Sequence, residues 1–345
     1  MLLKDYMPIS CLEVDSHLVP TPKRPVFDVH THWGEMAFGP NYSGLYDTKT
    51  TIKSMKSHGV IGCVNLCGHW GERLVTMLDK IGEHRDYVHT FGTVDTKKLE
   101  DPDWESYVHQ TIRESVGAGM KGMKFWKNIS LAQKDKSGSY IPIDDSRLQV
   151  IWQTAAEYSL PVLIHIADPV AFFKPIDRFN ERLEELESNP DWAFNAPDLY
   201  TFHELMEQQD NLVGNNPNTT FVIAHFGSYP ENLAWLGKQL DKHPNMLIDV
   251  AARIAELGRQ PYTARKFFQT YRDRIMFGTD FTPVSHGDYP IYYRFFETFD
   301  EYFPYSSSPV GTQGRWNIYG IGLEDKILDQ LYYRNAAKLL GLTSE

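Results

Sequence analysis

Short apolar runs recur along the chain, each followed by a longer stretch whose apolar positions return at helical spacing. This alternation predicts repeated β-α units on a parallel sheet. Eight such runs stand out: 26–32 (VFDVHTH), 60–68 (VIGCVNLCG), 87–95 (YVHTFGTVD), 119–127 (GMKGMKFWK), 160–168 (LPVLIHIAD), 219–227 (TTFVIAHFG), 245–253 (NMLIDVAAR) and 274–282 (RIMFGTDFT). Most are rich in Val, Ile and Phe and begin near Gly, Pro or Asn, as parallel strands buried on both faces do. Between them lie helix candidates with legible ends. The segment 47–59 opens on polar cap residues and closes on Gly59, 145–161 stops before Pro161, 230–244 is bracketed by Pro230 and Pro244, and 322–341 would close an outer ring.

Eight units without an internal repeat, low-complexity tract or linker predict one α/β domain over 1–345, a (β/α)8 TIM barrel with its core at about 24–343. Two connections are too long for the regular pattern: 169–200 after the fifth strand and 283–321 after the eighth. Insertions of that length are expected as active-site covers. The charge run at 177–187 reads as the solvated face of a short helix.

Composition narrows the function classes. With 42% hydrophobic and 23% charged residues the chain has ample material for a core, and a net charge of -11 argues against nucleic acid or an anionic membrane as partner. The start, MLLKDYMPIS, carries Lys4 and Asp5 and lacks the apolar core of a secretory signal, and no stretch is apolar enough to span a bilayer. Cys11, Cys63 and Cys67 are too few for a disulfide framework and wrongly spaced for a zinc knuckle, so a reducing cytoplasm is the expected location.

Candidate chemistry begins with FDVHTHW at 27–33. Residues two apart in a strand point the same way, so Asp28, His30 and His32 share a face. Alone, the His-x-His pair is a weak motif, better explained by core histidines bonded to carbonyls. Three more residues change the balance: His165, His225 and Asp280 close the fifth, sixth and eighth runs. The C-terminal strand ends of a barrel face one mouth, where these five side chains would converge. Nitrogen and oxygen donors without thiolate suit a catalytic divalent ion, Zn²⁺ first, with Mn²⁺ and Fe²⁺ as alternatives.

Around that centre, alternation lets only one of Lys121 and Lys124 enter the barrel. Arg253 shares its parity with Ala251 and is expected either to bind a substrate carboxylate or to pair with Glu256. Trp33, Trp126 and Phe226 flank the rim as an apolar wall or as ordinary packing. Asp168 is placed to orient a ligand histidine. Arg315 and Trp316 lie in the last long connection, as lid, subunit contact or plain surface, and Cys63 and Cys67 read as small buried residues.

As an ordered set, FDVHTHW, IHIAD, IAHFG and FGTDF resemble the amidohydrolase superfamily, specifically the amidohydrolase-related group of metal-dependent TIM-barrel hydrolases and nonoxidative decarboxylases. The resemblance covers nearly the whole chain. It implies one metal ion held by His30, His32, His165 and Asp280, with His225 contacting the reacting water or substrate and Asp280 also accepting a proton. Relatives with two metals carboxylate a strand-4 lysine; Lys124 is expected here as an unmodified amine that binds a substrate anion or anchors a hydrogen-bond network. The implied function is hydrolysis of an amide, ester or lactone in a small carboxylate-bearing molecule. The alternative is nonoxidative decarboxylation of an aromatic or unsaturated acid, and a third reading is a barrel that binds metal or ligand without turnover. The long loops and the relatives allow a homodimer.

Overall fold

The computed structural model describes residues 6, 8–34, 47–282, 288–308 and 312–342. Its centre is an eight-stranded parallel sheet in sequential order: β1 Val26–Thr31, β2 Val60–His69, β3 Val88–Gly92, β4 Gly122–Phe125, β5 Val162–Ile164, β6 Phe221–Ile223, β7 Met246–Asp249 and β8 Ile275–Met276. Backbone hydrogen bonds seam β1 to the chain in and beyond β8: Val29 N to Phe277 O at 3.0 Å, Asp280 N to His30 O at 2.8 Å and His32 N to Phe281 O at 2.8 Å. The expected (β/α)8 barrel is therefore the observed architecture.

Apolar residues from strands all round the ring, among them Val29, Val64, Phe91, Leu163, Val222 and Met276, form one cluster, which only the barrel interior can bring together. Ala336, Leu339 and Leu340 from the chain end pack against it. A larger cluster lies between sheet and helices. Helix Thr48–Ser57 is capped by Asp47, whose carboxylate accepts from Thr50 N at 2.7 Å, and Thr201 with Glu204 forms a capping box on helix Phe202–Asn215. The terminal helical stretch is divided into Asp325–Asp329, a π-turn at Gln330–Arg334 and Asn335–Leu340.

Five of the strands are much shorter than the apolar runs that predict them. At the C-terminal ends of three of them the chain turns away through left-handed backbone: His225 (φ 56°), Phe226 (57°) and Ser228 (62°) after β6, Ala252 (54°) after β7 and Asp280 (69°) after β8. Such values are costly for residues with a Cβ and persist where surrounding structure enforces them. The mouth of the barrel is thus built on bent ends, where strand parity stops counting.

The two long connections are more structured than loops. The first carries helix Leu183–Ser188, and the second carries helix Tyr289–Glu297 and an antiparallel bridge between Phe303 and Ile318. They meet through Arg315, whose Nη2 and Nε lie 2.5 and 2.7 Å from the Glu184 carboxylate. The charge run at 177–187 departs from its expected solvated face, because Arg182 is 1% exposed and ion-paired inward. Among the described residues no helix is long and apolar enough to cross a membrane.

Candidate metal centre

The floor of the site is Asp28. Its buried carboxylate accepts from His30 N (3.0 Å), Thr279 Oγ1 (2.5 Å), Thr279 N (3.2 Å) and Tyr289 OH (2.8 Å), tying β1, the chain after β8 and the following helix together. Burial raises its carboxyl to about 6, against those hydrogen bonds. Close approach is needed here: a Cβ on Gly278 would lie 2.9 Å from His30 Cβ.

Above this floor His30 lies between two carboxylates. Its Nδ1 is 2.8 Å from Asp249 Oδ2, and its Nε2 is 3.3 Å from Asp280 Oδ1 without a hydrogen bond of good geometry. His32 Nε2 is 2.9 Å from the same Asp280 oxygen. His225 Nδ1 lies 3.0 Å from the carbonyl of Ala251, which only accepts, so Nδ1 carries the proton and Nε2 keeps its lone pair. One donor atom each from His30, His225 and Asp280 lie within 4.8 Å of one another. The His165 and His225 rings are 4.3 Å apart, while His165 Nε2 is 3.2 Å from Asp168 Oδ1.

Electrostatics favour a cation in this cluster. Burial would keep His30 neutral, but Asp249 and Asp280 outweigh it and raise the imidazole to about 9. Burial opposes the charge of Asp280, yet His30, His32 and His225 hold its carboxyl well below the usual range. Burial lowers His32, takes His165 down to about 4 despite Asp168, and with His165 and Arg253 holds His225 far below its ordinary value. His32, His165 and His225 are thus neutral beside ionised Asp280, the states a divalent ion requires, whereas His30 would give up its Nε2 proton in exchange for the ion. Asp280 is also open to the mouth, its side chain 32% exposed.

The other expected residues fall into two groups. Lys124 is buried and burial lowers its amine to about 8, with Asp280 and Asp249 opposing; Trp126 is half-buried, its ring centroid 5.7 Å from Lys124 Nζ. Arg253 is buried near His225, but its expected pairing with Glu256 does not form, because Glu256 is taken by Arg182. Trp33 packs into the core with its indole N–H on Thr31 Oγ1 at 3.0 Å, and Phe226 stacks among Phe267 and Phe268. Of the two readings left open for Phe226, packing is the one observed: it is fully buried in the cluster between sheet and helices.

Asp249 was not foreseen. It accepts from His225 N at 3.0 Å and Ala251 N at 3.1 Å as well as facing His30. The available signal was a carboxylate closing an apolar run, as Asp280 does. A carboxylate on the far nitrogen of a ligand histidine fixes its tautomer and raises its basicity.

A family model described as amidohydrolase matches residues 99–342. No curated protein matches the sequence. Among solved structures, a dihydroxybenzoic acid decarboxylase of Polaromonas sp., with bound manganese and the inhibitor 2-nitroresorcinol, superposes with a TM-score of 0.58 at 12% identity, over 93% of this chain and 98% of that one. The 2,6-dihydroxybenzoate decarboxylase of Rhizobium gives 0.56 at 14% identity, over 92% and 99%. A Staphylococcus aureus protein provisionally assigned to the amidohydrolases gives 0.58 at 15% identity, over 92% and 100%. At these identities the likeness is one of fold.

Proposed function

Because the chain belongs to the amidohydrolase family, whose members depend on metal, we propose that it is a metal-dependent hydrolase cleaving an amide, ester or lactone in a small carboxylate-bearing substrate. The observation that carries this reading is the cluster of His30, His225 and Asp280, with one donor atom from each within 4.8 Å of the others, in which His225 spends Nδ1 on Ala251 O and keeps the Nε2 lone pair. His30, His32, His165 and Asp280 would hold the ion, with Asp249 and Asp168 orienting the first and third of these histidines. Zn²⁺ suits that donor set best. When bound, the ion supplies Lewis acidity, acidifying water and polarising a carbonyl.

The remaining work falls to the chain. His225 Nε2 takes a proton from the attacking water and returns it to the leaving group. The ionised Asp280 side chain, reachable from the mouth, takes the remaining proton of that water from the newly formed carboxylic acid and relays it to solvent. Arg253 and Lys124 offer positive charge to the substrate carboxylate. Trp126 supplies an apolar wall.

Likeness to two decarboxylase folds supports a second reading, nonoxidative decarboxylation of an aromatic acid with the same donors. The test is elemental analysis of the purified protein, then turnover of an acid, ester and lactone panel by wild type and His225→Asn. One metal per chain in both, with kcat lowered by about 10²–10⁴ in the variant, is the expected result. An unchanged kcat sinks the role of His225, and carbon dioxide release selects the second reading.

A further inference from the structure

Charged side chains from three elements meet where the connection after β5 packs on the barrel. Arg182 and Glu185 come from that connection, Glu231 from the segment after β6, and Arg253 and Glu256 from the turn after β7. Arg182 is 1% exposed, ion-paired to Glu256, and its Nη1 is 2.7 Å from Glu185 Oε2. Its guanidinium also lies 5.5 Å from the Trp316 ring and 5.9 Å from that of Phe172. Arg253 is buried too, yet it has no ion pair among the described residues. Its Nη1 donates to Ala252 O at 2.8 Å, and its Nε has no acceptor.

Glu256 is three residues from Arg253 at the start of a helical turn, Ile254–Leu257, a spacing at which opposite charges ordinarily meet. Three carboxylates face the two guanidiniums: Arg182 holds Glu185 and Glu256, Glu231 pairs with neither, and among the described residues Glu256 Oε2 and Glu231 Oε2 have no hydrogen-bond partner. A buried guanidinium with unspent donors is costly until an anion completes it.

We propose that Arg182 is a positioning residue that sets the charge class of the substrate: by holding Glu256 it keeps Arg253 unneutralised, and Arg253 then takes the carboxylate of an anionic substrate. Without Arg182, Glu256 would turn to Arg253 and the mouth would favour uncharged molecules. The inference rests on the proposed hydrolysis of a carboxylate-bearing substrate, and its test needs no turnover.

Calorimetric titration of the full chain, as purified, with 2,6-dihydroxybenzoate and 2,6-dihydroxybenzamide compares an acid with a neutral probe of the same shape. Wild type is expected to prefer the acid by about tenfold or more, the scale of a charge-assisted hydrogen bond. R182M should lose most of that preference with amide binding unchanged, and R182M/E256Q should regain it. R182K, whose ammonium cannot hold two carboxylates as the guanidinium does, should give a partial loss and serves if R182M does not fold. Full acid preference retained in R182M or R182K, equal weakening of both probes, or no acid preference in wild type would overturn the proposal. Absence of turnover in wild type would sink the hydrolase reading alone and leave these titrations standing.

Discussion

On the β1, β7 and β8 side of the mouth, ionisable groups are tied to one another: Asp28 to Thr279 and Tyr289, Asp249 to His30 and the His225 backbone, Asp280 to His30 and His32. On the β2 to β4 side the chain instead surrounds a cavity of about 420 Å³ with Trp70, Val94, Phe125, Trp126 and Ile129, and only Asp95 and Lys97 bring charge to its lining. None of the expected metal ligands lines that cavity. One side is built on coupled charges, mostly buried with Asp280 open to the mouth, where removing a single partner changes the state of the next. The other works by shape, where a substitution changes a contact and little else. On the proposed function, the charged flank carries the chemistry and the recognition of a carboxylate, and the apolar flank carries recognition by shape.

Asp249→Asn is the strongest way to break that division. The amide keeps the shape but loses the charge that holds His30 Nδ1–H, and outer partners of ligand histidines are typically worth 10–100-fold in metal affinity or activity. A loss of that size in metal affinity is expected from competition with a chelator, with the barrel still folded by circular dichroism. Unchanged affinity would mean that the charged side is not a coupled network.

Lys124 stands between the two flanks, and its effect should be smaller. Burial lowers its amine to about 8, so it is cationic below that pH and neutral above it. If the cation assists anionic substrate, kcat/KM falls above about pH 8 by up to tenfold per unit. Lys124→Met should remove this alkaline limb and cost about tenfold at pH 7, within the range of one charged hydrogen bond. A limb that survives in the variant would assign the titration to another group.

Much of the charged side was legible in the sequence, because ionisable residues closing apolar runs are conspicuous: His30, His32, His165, His225 and Asp280 all lie at the barrel mouth. What escaped followed from the bent ends. Its place beside His225 leaves Phe226 open as rim wall or packing, and three-residue spacing leaves Glu256 open as a partner of Arg253; β6 stops at Ile223 and β7 at Asp249, and left-handed residues then reset the direction of the chain. Parity carries no information past such a turn. Arg182 escaped for a different reason: a charge run with helical spacing resembles a solvated face, and only its long-range partner Glu256 shows that it is buried. The fold needed none of these details, since β-α rhythm alone specifies the barrel.

The smallest expected effect tests the shape side. Trp126 is seated on Gly68, where a Cβ would fall 2.3 Å from its ring, and its buried Nε1 has no hydrogen-bond partner among the described residues. Substrate that leans on this indole loses apolar contact worth roughly 1–2 kcal/mol when it is removed. Trp126→Ala should therefore raise KM by roughly five- to thirtyfold, with kcat within about twofold if the indole only binds substrate. Trp126→Phe keeps most of the wall and removes only the N–H donor, so a KM near that of wild type assigns the effect to the apolar face, and one near that of the alanine variant assigns it to the donor. A fall in kcat at constant KM in either variant would show that the two flanks are coupled and that the division of labour between charge and shape does not hold.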